Sequence, residues 1–598
     1  MNPLKLRLPA SSEMDSALPA PTPDEIKAWL TTLPAGDTRK VGPEILGLIH
    51  GINRRNIPST RRLQSLMLLN SRTQELVELL RSKYRNRPLP LSDKQREAAQ
   101  LTRQLLEEQA IGYNIIVNEA ICDTADEDLN SNMFLLALRQ TIVQLGQQLL
   151  ECHIQYAAPA PTLWGELNRL YDFAERNGLN TLAITPLTSQ ENPLTTVQHA
   201  YMRVVLLALT QPNHLMPGQA ESINNYLEHW TTGCRMEERR GTLAEAGDML
   251  VDLDSDRPPT IATERTRFRP VKGRYFDISR LQARLAEVRA NIGQETEEQD
   301  GDGSVLSLAE RLRRDMLTRL THAWAGRGER GAERIEDQQL FVLMCIGLNA
   351  AHHHVSDEAD FDPEHDELCF HHPDEQAERR ELELLTTQHH ETSLSVRSGT
   401  KPSRLPRFDA QGDVWTTVHN TEILAREQHE NALAQYLLEP WRRINHSQGG
   451  LALQRQPGNR AQMQVGSLVA FRDDNQSEHW RIGVIRWLQD GGPKAFEIGV
   501  MSLADNAIAV AVRAVGGTGN GGEYFRSLLI THATAGDCLV VPASIYHVDT
   551  QLVLNRGSEI QYVQLTDIIE TSSAFSLFAF DTIEMPDQER NRLKNLKS

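Results

Sequence analysis

From Asp24 to about residue 250, apolar residues recur three and four positions apart, the spacing that gathers them on one face of an α-helix. Leu63, Leu66, Met67, Leu69, Leu76, Val77, Leu79 and Leu80 form one such stripe, with Arg, Gln, Ser and Glu on the other face. Ser92 and Gln95, just after Pro88 and Pro90, have the spacing of a capping box, in which a side chain at each end satisfies a backbone N–H that the first turn leaves orphaned. Further helices are predicted over 131–153, 161–177, 195–210 and 217–230, joined by short Pro, Asn and Gly connections. The expectation is an all-α array over 24–250, preceded by a disordered leader, 1–23. Trp164, Leu167 and Tyr171 keep the spacing of the first helix of a tetratricopeptide repeat, but Asn168 stands where a glycine belongs, and no second copy follows at the period of about 34 residues. One repeat cannot bury its own face, so these aromatics read as a plain helical core. Either version makes the array an interaction platform or a spacer.

The pattern then changes character. Pro258 and Pro259, after the acidic run Asp252 to Asp256, mark a boundary, and 258–354 reads as a small helical or α+β domain. Within it Phe268 to Ile278 alternates like a strand, Ser279 to Ile292 reads as a helix, and two more helices end near Ala351, the last beginning at Phe341. Residues 355–435 are poor in apolar side chains and dense in charge, the composition of a polar linker. Beyond Ala452 the helical period gives way to short apolar runs at Val465–Arg472, Trp480–Leu488, Phe496–Ser502, Ile508–Val515, Tyr524–Ile530, Cys538–Val541, Gln551–Asn555 and Ile560–Ile569. Many short strands separated by turn residues predict a closed antiparallel β-barrel over 436–585, because closure removes exposed strand edges. Residues 586–598 are left as a tail. The fold class is therefore multidomain α+β.

Composition narrows the function. A formal charge of −18 opposes attraction to phosphate backbones, and no basic patch is large enough to overcome it, so nucleic acid is excluded as a partner. No run approaches the roughly 18 apolar residues that membrane insertion needs, and residues 1–23 do not look like a signal peptide, which leads to a cytoplasmic expectation. The six cysteines are far apart, without a Cys-x-x-Cys pair, as suits reduced thiols rather than a disulfide framework or zinc knuckle. Gly517 to Gly522 satisfies Gly-x-Gly-x-x-Gly, but strands flank it where a phosphate-binding fold requires a helix, so it reads as a hairpin loop.

The segment from His352 to His390 contains His352, His353, His354, His365, His371, His372, His389 and His390 among many carboxylates. Imidazole with carboxylate is a ligand set for zinc, iron or manganese, and His365-Asp366 is similar to the metal-binding pair of HD-type phosphohydrolases. That gives one alternative function, a metal-dependent phosphodiesterase. The pair sits in an acidic stretch bounded by Pro363 and Pro373, not on a helix, so a polar interdomain segment is preferred and neither catalytic residues nor a cofactor are expected. His352 to His354 read as a helix C-terminus, where imidazolium suits the macrodipole.

The most informative segment is Trp441-Arg442-Arg443-Ile444-Asn445-His446-Ser447-Gln448-Gly449-Gly450. Asn445, Ser447 and Gly450 fit Asn/Asp-x-Ser-x-x-Gly, and Trp480 to Trp487 with Glu497 to Val500 follow as paired strands. In these residues the chain resembles PilZ domains, small β-barrels that bind cyclic di-GMP, and as a whole it resembles large bacterial proteins that place such a barrel after a long helical region. Eight strand runs exceed the six usual in the family, which points to an extension or a second β unit after Gly522. The resemblance implies that Arg442 and Arg443 meet phosphate and purine, that Asn445 bonds a guanine, that Ser447 contacts base or phosphate, and that Gly450, helped by Gly449, lets the backbone pass close to the ligand. Planar guanidinium suits both forking and stacking. The family usually carries Arg-x-x-x-Arg upstream, and here the nearest cluster is Arg404-Leu405-Pro406-Arg407, with Arg404 and Arg407 as its arginines in a different internal spacing. The implied function is a non-enzymatic effector whose nucleotide binding alters how the helical region meets an unidentified protein partner. A scaffold with a non-binding barrel is the other alternative.

Overall fold

The computed structural model describes residues 3–10, 22–34, 37–123, 131–185, 196–239, 243–263, 270–291, 308–325, 335–336, 340–364, 367, 436–473, 479–492, 496–515, 522–557 and 559–596. Arg404, Arg407, His365 and Asp366 lie outside them.

Helical periodicity becomes α1 (Pro23–Thr32), α2 (Thr38–Arg54), α3 (Ser59–Arg81), α4 (Asp93–Asp123), α5 (Asn132–Ile154), α6 (Leu163–Arg176), α7 (Val197–Ala208) and α8 (Gln219–Trp230). Their starts are chemically marked: the Asp37 carboxylate accepts from Arg39 and Lys40 N–H, Ser131 caps α5 through Phe134 N–H, and Gln95 accepts from Ser92 N–H at 3.0 Å. Leu66, Leu69 and Val77 of the α3 stripe are buried, while Leu79 faces solvent. Trp164, Leu167 and Tyr171 are buried core residues of α6. Asn168, which breaks the repeat pattern, is held among them by an accepted bond from Tyr201 (2.7 Å) and a donated one to the Ser255 carbonyl (2.8 Å).

The leader is not wholly disordered as expected: Leu4 and Leu6 are buried, because Arg7 is bound by side chains of the helical array. The array also ends sooner than 250. Strands β1 (Arg235–Glu238), β2 (Met249–Asp252), β3 (Thr260–Ile261) and β4 (Gly273–Asp277) form an antiparallel sheet in the order β1-β4-β2-β3, followed by α9 (Ser279–Asn291) and α10 (Leu308–Trp324). This is the sheet of the small mixed domain. Arg274 of β4 donates to Glu175 of α6, and Lys272 to Asp172 at 2.9 Å, joining sheet and array through part-buried charge pairs.

By its internal contacts the chain divides into two units, Met1–Arg334 with Gln462–Val465 and Arg486–Gly499, and Ile335–Ala461 with Gly466–Ile485 and Val500–Ser598. The β region comprises two closed barrels rather than one. β5 (Ile335–Glu336), β6 (Phe341–Ile346), β7 (Leu438–Ser447), β8 (Gly450–Arg455), β9 (Leu468–Asp473), β10 (Arg481–Asp490) and β11 (Phe496–Ala504) run in the order β5-β7-β6-β9-β10-β11-β8, and β7 also pairs with β8, which closes the ring. The boundary drawn at 436 therefore cuts this sheet, since β6 lies between β7 and β9. Residues 341–346, expected as helix, are that strand. A run of six apolar side chains has no period that separates helix from strand, and pairing on both edges decided it. The helix proper is α11 (Leu348–Val355), with His352, His353 and His354 in its last turn as expected.

The second barrel holds β12 (Ala507–Ala514), β13 (Phe525–His532), β14 (Gly536–Pro542), β15 (Gln551–Asn555), β16 (Ile560–Thr571) and β17 (Phe575–Ile583) in the closed order β12-β13-β14-β17-β16-β15. Val512, Leu539, Leu552, Leu554, Val563, Leu565 and Phe578 fill its interior. β12 and β13 pair antiparallel on either side of the glycine-rich motif, of which residues 517–521 are outside the described set. The tail is a helix, α12 (Asp587–Leu596), whose Glu589 is buried against Arg513 of β12.

Candidate functional site

The signature residues lie on the hairpin of β7 and β8. Trp441, fully buried, fixes the strand in the barrel. The register then shifts between Arg443 and Asn445, an irregularity of the β-bulge kind that resets which side chains face inward. Ser447 and Gly450 pair across the turn, and the Ser447 hydroxyl donates to the Gly450 carbonyl at 3.4 Å. Gly450 lies against β11: an added Cβ would stand 2.2 Å from the Val500 carbonyl oxygen, and Ser502 N–H donates to the Gly449 carbonyl at 3.1 Å. Its lack of a side chain is thus required by the neighbouring strand. Gly449 has open space around it.

Beside this turn is a small, solvent-open concavity. Arg443, His446, Ser447, Gln448, Gly450, Phe471, Arg481 and Asp505 are among its lining residues. Arg443 and Arg481 converge on a single carboxylate, Asp473, with Arg443 Nη1 at 3.2 Å from Oδ1 and Arg481 Nη2 at 3.0 Å from Oδ2. The Arg481 guanidinium also stands over the Phe471 ring, 4.8 Å from its centroid. The bonds to Asp473 fix the planes of both guanidinium groups, and a planar cation suits forked bonding to an anion and stacking on an aromatic base. His446 Nδ1 is buried and has no hydrogen-bond partner among the described residues, so the wall has an unmet polar atom.

The structure thus gathers Arg443, Ser447 and Gly450 at one concavity and leaves others outside its lining. Arg442 bonds the side chain of Gln454 on the paired strand, and Asn445 sits between Glu336 and Ala452 in the ladder. His446, Phe471, Asp473, Arg481 and Asp505 were not singled out from the sequence. Arg481 had the clearest signal, because it lies in the Trp480–Trp487 strand used for the resemblance. As for metal, His353, His354 and Glu358 form a group of possible ligands within 4.8 Å of one another among the described residues.

Comparison with known proteins gives the family. Three models describing the cyclic-di-GMP receptor FimW match in succession: its N-terminal domain at residues 24–240, its middle PilZ domain at 249–508, and its C-terminal β-barrel domain at 510–583. The chain belongs to this PilZ-type FimW family. The cyclic-di-GMP receptor FimW of Pseudomonas aeruginosa is 23% identical over 577 residues, covering 93% of this chain and 89% of the relative. No solved structure matches. The FimW middle-domain match includes the hairpin, the concavity and strands β5 and β6, and the C-terminal match covers the second barrel. The FimW family is one of receptors rather than enzymes, which removes the phosphodiesterase reading of the histidine segment. In such a receptor cyclic di-GMP is a ligand and not a cofactor. No helix among the described residues is long and apolar enough to cross a membrane.

Proposed function

We propose that this protein is a cytoplasmic, non-enzymatic effector that binds cyclic di-GMP at the concavity beside the β7–β8 hairpin. The observation that carries the reading is the convergence of Arg443 and Arg481 next to Ser447 and Gly450 of the signature. A dinucleotide offers two phosphates and two guanines, and two guanidinium planes provide forks for the first and stacking faces for the second. Ser447 would add a hydroxyl, and Gly449 an uncrowded backbone. Asn445, Arg404 and Arg407 remain part of the proposed ligand set through the family resemblance, with Arg404 and Arg407 supplied by the segment before β7, and Arg442, bonded to Gln454, has a minor share in it. Binding would act on a protein partner through the helical region, and ligand can do so only by a differential affinity for two arrangements of the chain.

One observation favours the alternative of a scaffold with a non-binding barrel: Asp473 already bonds both arginines, and with Asp505 in the wall two carboxylates balance the two guanidinium charges. Calorimetry of the full chain with cyclic di-GMP separates the two. Saturable binding at micromolar ligand with one equivalent or more supports the receptor, and a flat titration leaves the scaffold.

A further inference from the structure

The N-terminal strap, residues 3–10, joins neither a helix nor a strand, yet the helical array reads it in detail. Burial alternates along it: Leu4 and Leu6 are buried, while Lys5 and Leu8 are exposed. Three helices contribute the contacts. Arg169 of α6 donates from Nε to the Leu4 carbonyl at 2.9 Å, and Asn114 of α4 donates to the Arg7 carbonyl at 3.3 Å. Glu166 of α6 accepts from the Arg7 backbone N–H at 3.1 Å. Here side chains, not a β-ladder, satisfy the main chain of the segment, so the backbone recognition does not depend on the identity of the residue bound.

The Arg7 side chain supplies the specificity. Its Nε donates to Glu166 at 2.9 Å, Nη1 to Glu107 at 3.0 Å, and Nη2 to Gln148 Oε1 at 3.1 Å. The Glu166 side chain is 1% exposed, so its carboxylate is desolvated and bonds Arg7 and Asn114 together. A charge buried to that degree requires a cation held in good geometry. The set is an arginine-holding pocket beside the buried Leu4 and Leu6.

We propose that this surface is the docking site for a protein partner's peptide of the pattern apolar-x-apolar-basic, and that residues 3–10 occupy it as an internal stand-in. The proposal rests on the reading that the helical region meets the partner, and it names that partner's chemistry. Charge supports a basic occupant, since Glu107 and Glu166 face it and the chain carries −18 overall. An attached strap competes at a high effective concentration, so a partner must bring either a better-fitting segment or a second contact to displace it.

The test uses no nucleotide, so its failure leaves the proposed cyclic di-GMP site untouched. A fluorescent peptide of residues 1–10 is titrated into the full chain lacking those residues, and a random peptide library is selected against the same protein. The peptide should bind saturably, its Arg7→Ala form about tenfold or more weakly, and the selection should enrich apolar-x-apolar-Arg or Lys. Glu166→Gln should abolish that enrichment. A shortened chain that keeps its helical circular dichroism yet neither binds the peptide nor enriches the pattern overturns the proposal. If the shortened chain does not fold, selection is repeated on the full-length Arg7→Ala protein, where enrichment no greater than for wild type overturns it equally. A concentration-dependent dimer of the intact chain that Arg7→Ala dissolves would assign the groove to a second copy and also overturn the partner reading.

Discussion

A Cβ at Gly450 would stand 2.2 Å from the backbone carbonyl oxygen of Val500, closer than any non-bonded pair can be. The last glycine of the signature is therefore a seam between β8 and β11, and its contribution to any ligand is indirect. Gly450→Ala must push two strands apart, at a cost of about 1–3 kcal/mol or more. Thermal unfolding should show a clearly lowered midpoint for Gly450→Ala and almost none for Gly449→Ala, whose Cβ would meet open space. Equal effects from the two substitutions would refute the seam.

The paired arginines are expected to differ despite being neighbours. Arg481 lines the concavity, so Arg481→Ala should weaken cyclic di-GMP binding by about 1.5–3 kcal/mol, the range of charge-assisted hydrogen bonds. Arg443→Lys, which keeps the charge and loses the fork, should weaken it as well. Arg442 is bonded to Gln454 away from that lining, and Arg442→Ala should change affinity by less than about 0.5 kcal/mol. Calorimetry on the three variants checks the order, and a larger loss from Arg442→Ala would move the ligand to the opposite face of β7.

Stability should fall with acid through His352, which is buried, and His153, whose Nε2 is buried without a hydrogen-bond partner among the described residues. Burial lowers His153 of α5 to a pKa of about 4, and burial together with the nearby Arg526 lowers His352 of α11 to about 4. The unfolded chain takes up each proton near the ordinary value of about 6.5, while the folded chain resists until near 4, so stability is complete above the first value and is lost as pH falls between them. Each histidine contributes a slope of about 1.4 kcal/mol per pH unit in that window. Urea unfolding at pH 7.5 and 5 should reveal the loss, and His153→Gln should reduce it. An unchanged midpoint across the window contradicts both assignments.

The C-terminal helix should prove structural. Arg513, Glu367 and Glu589 are all buried, with Arg513 Nη2 at 2.9 Å from Glu367 and 2.7 Å from Glu589, and Arg592 Nη1 at 2.7 Å from Glu589. Burial alone would raise the Glu589 pKa, but the bonds from Arg513 and Arg592 hold it below the ordinary value. Removing one member strands a buried charge, so Glu589→Ala should destabilise the second barrel by about 3 kcal/mol. Differential scanning calorimetry reads this directly. The same variant should leave the signature hairpin's nucleotide affinity unchanged when assayed well below the melting temperature.

Much of the architecture was legible in local pattern. The α3 stripe, the Ser92–Gln95 cap and strands β9 to β16 follow from periods of 3.6 and 2, which a single element displays by itself, whereas β17 was not among the predicted runs. So did the hairpin reading of Gly517–Gly522, since what flanks a motif is written beside it. At the site, Ser447 and Gly450 were visible because the signature is contiguous, and Arg443 because it adjoins them.

Local pattern alone settled a helical region followed by β structure, the presence of the signature, and a net charge of −18 that opposes attraction to phosphate backbones. Which strand lies beside which was decided only in three dimensions. Residues 341–346 enter the first barrel from far upstream because β7 and β9 each left an edge for them. Arg481 and Asp473 reach Arg443 because β9 and β10 lie across the same sheet. Arg7 meets Glu166, and Glu589 meets Arg513, for a similar reason: a buried charge needs a partner, and packing, which no local spacing records, brings that partner from a distant part of the chain.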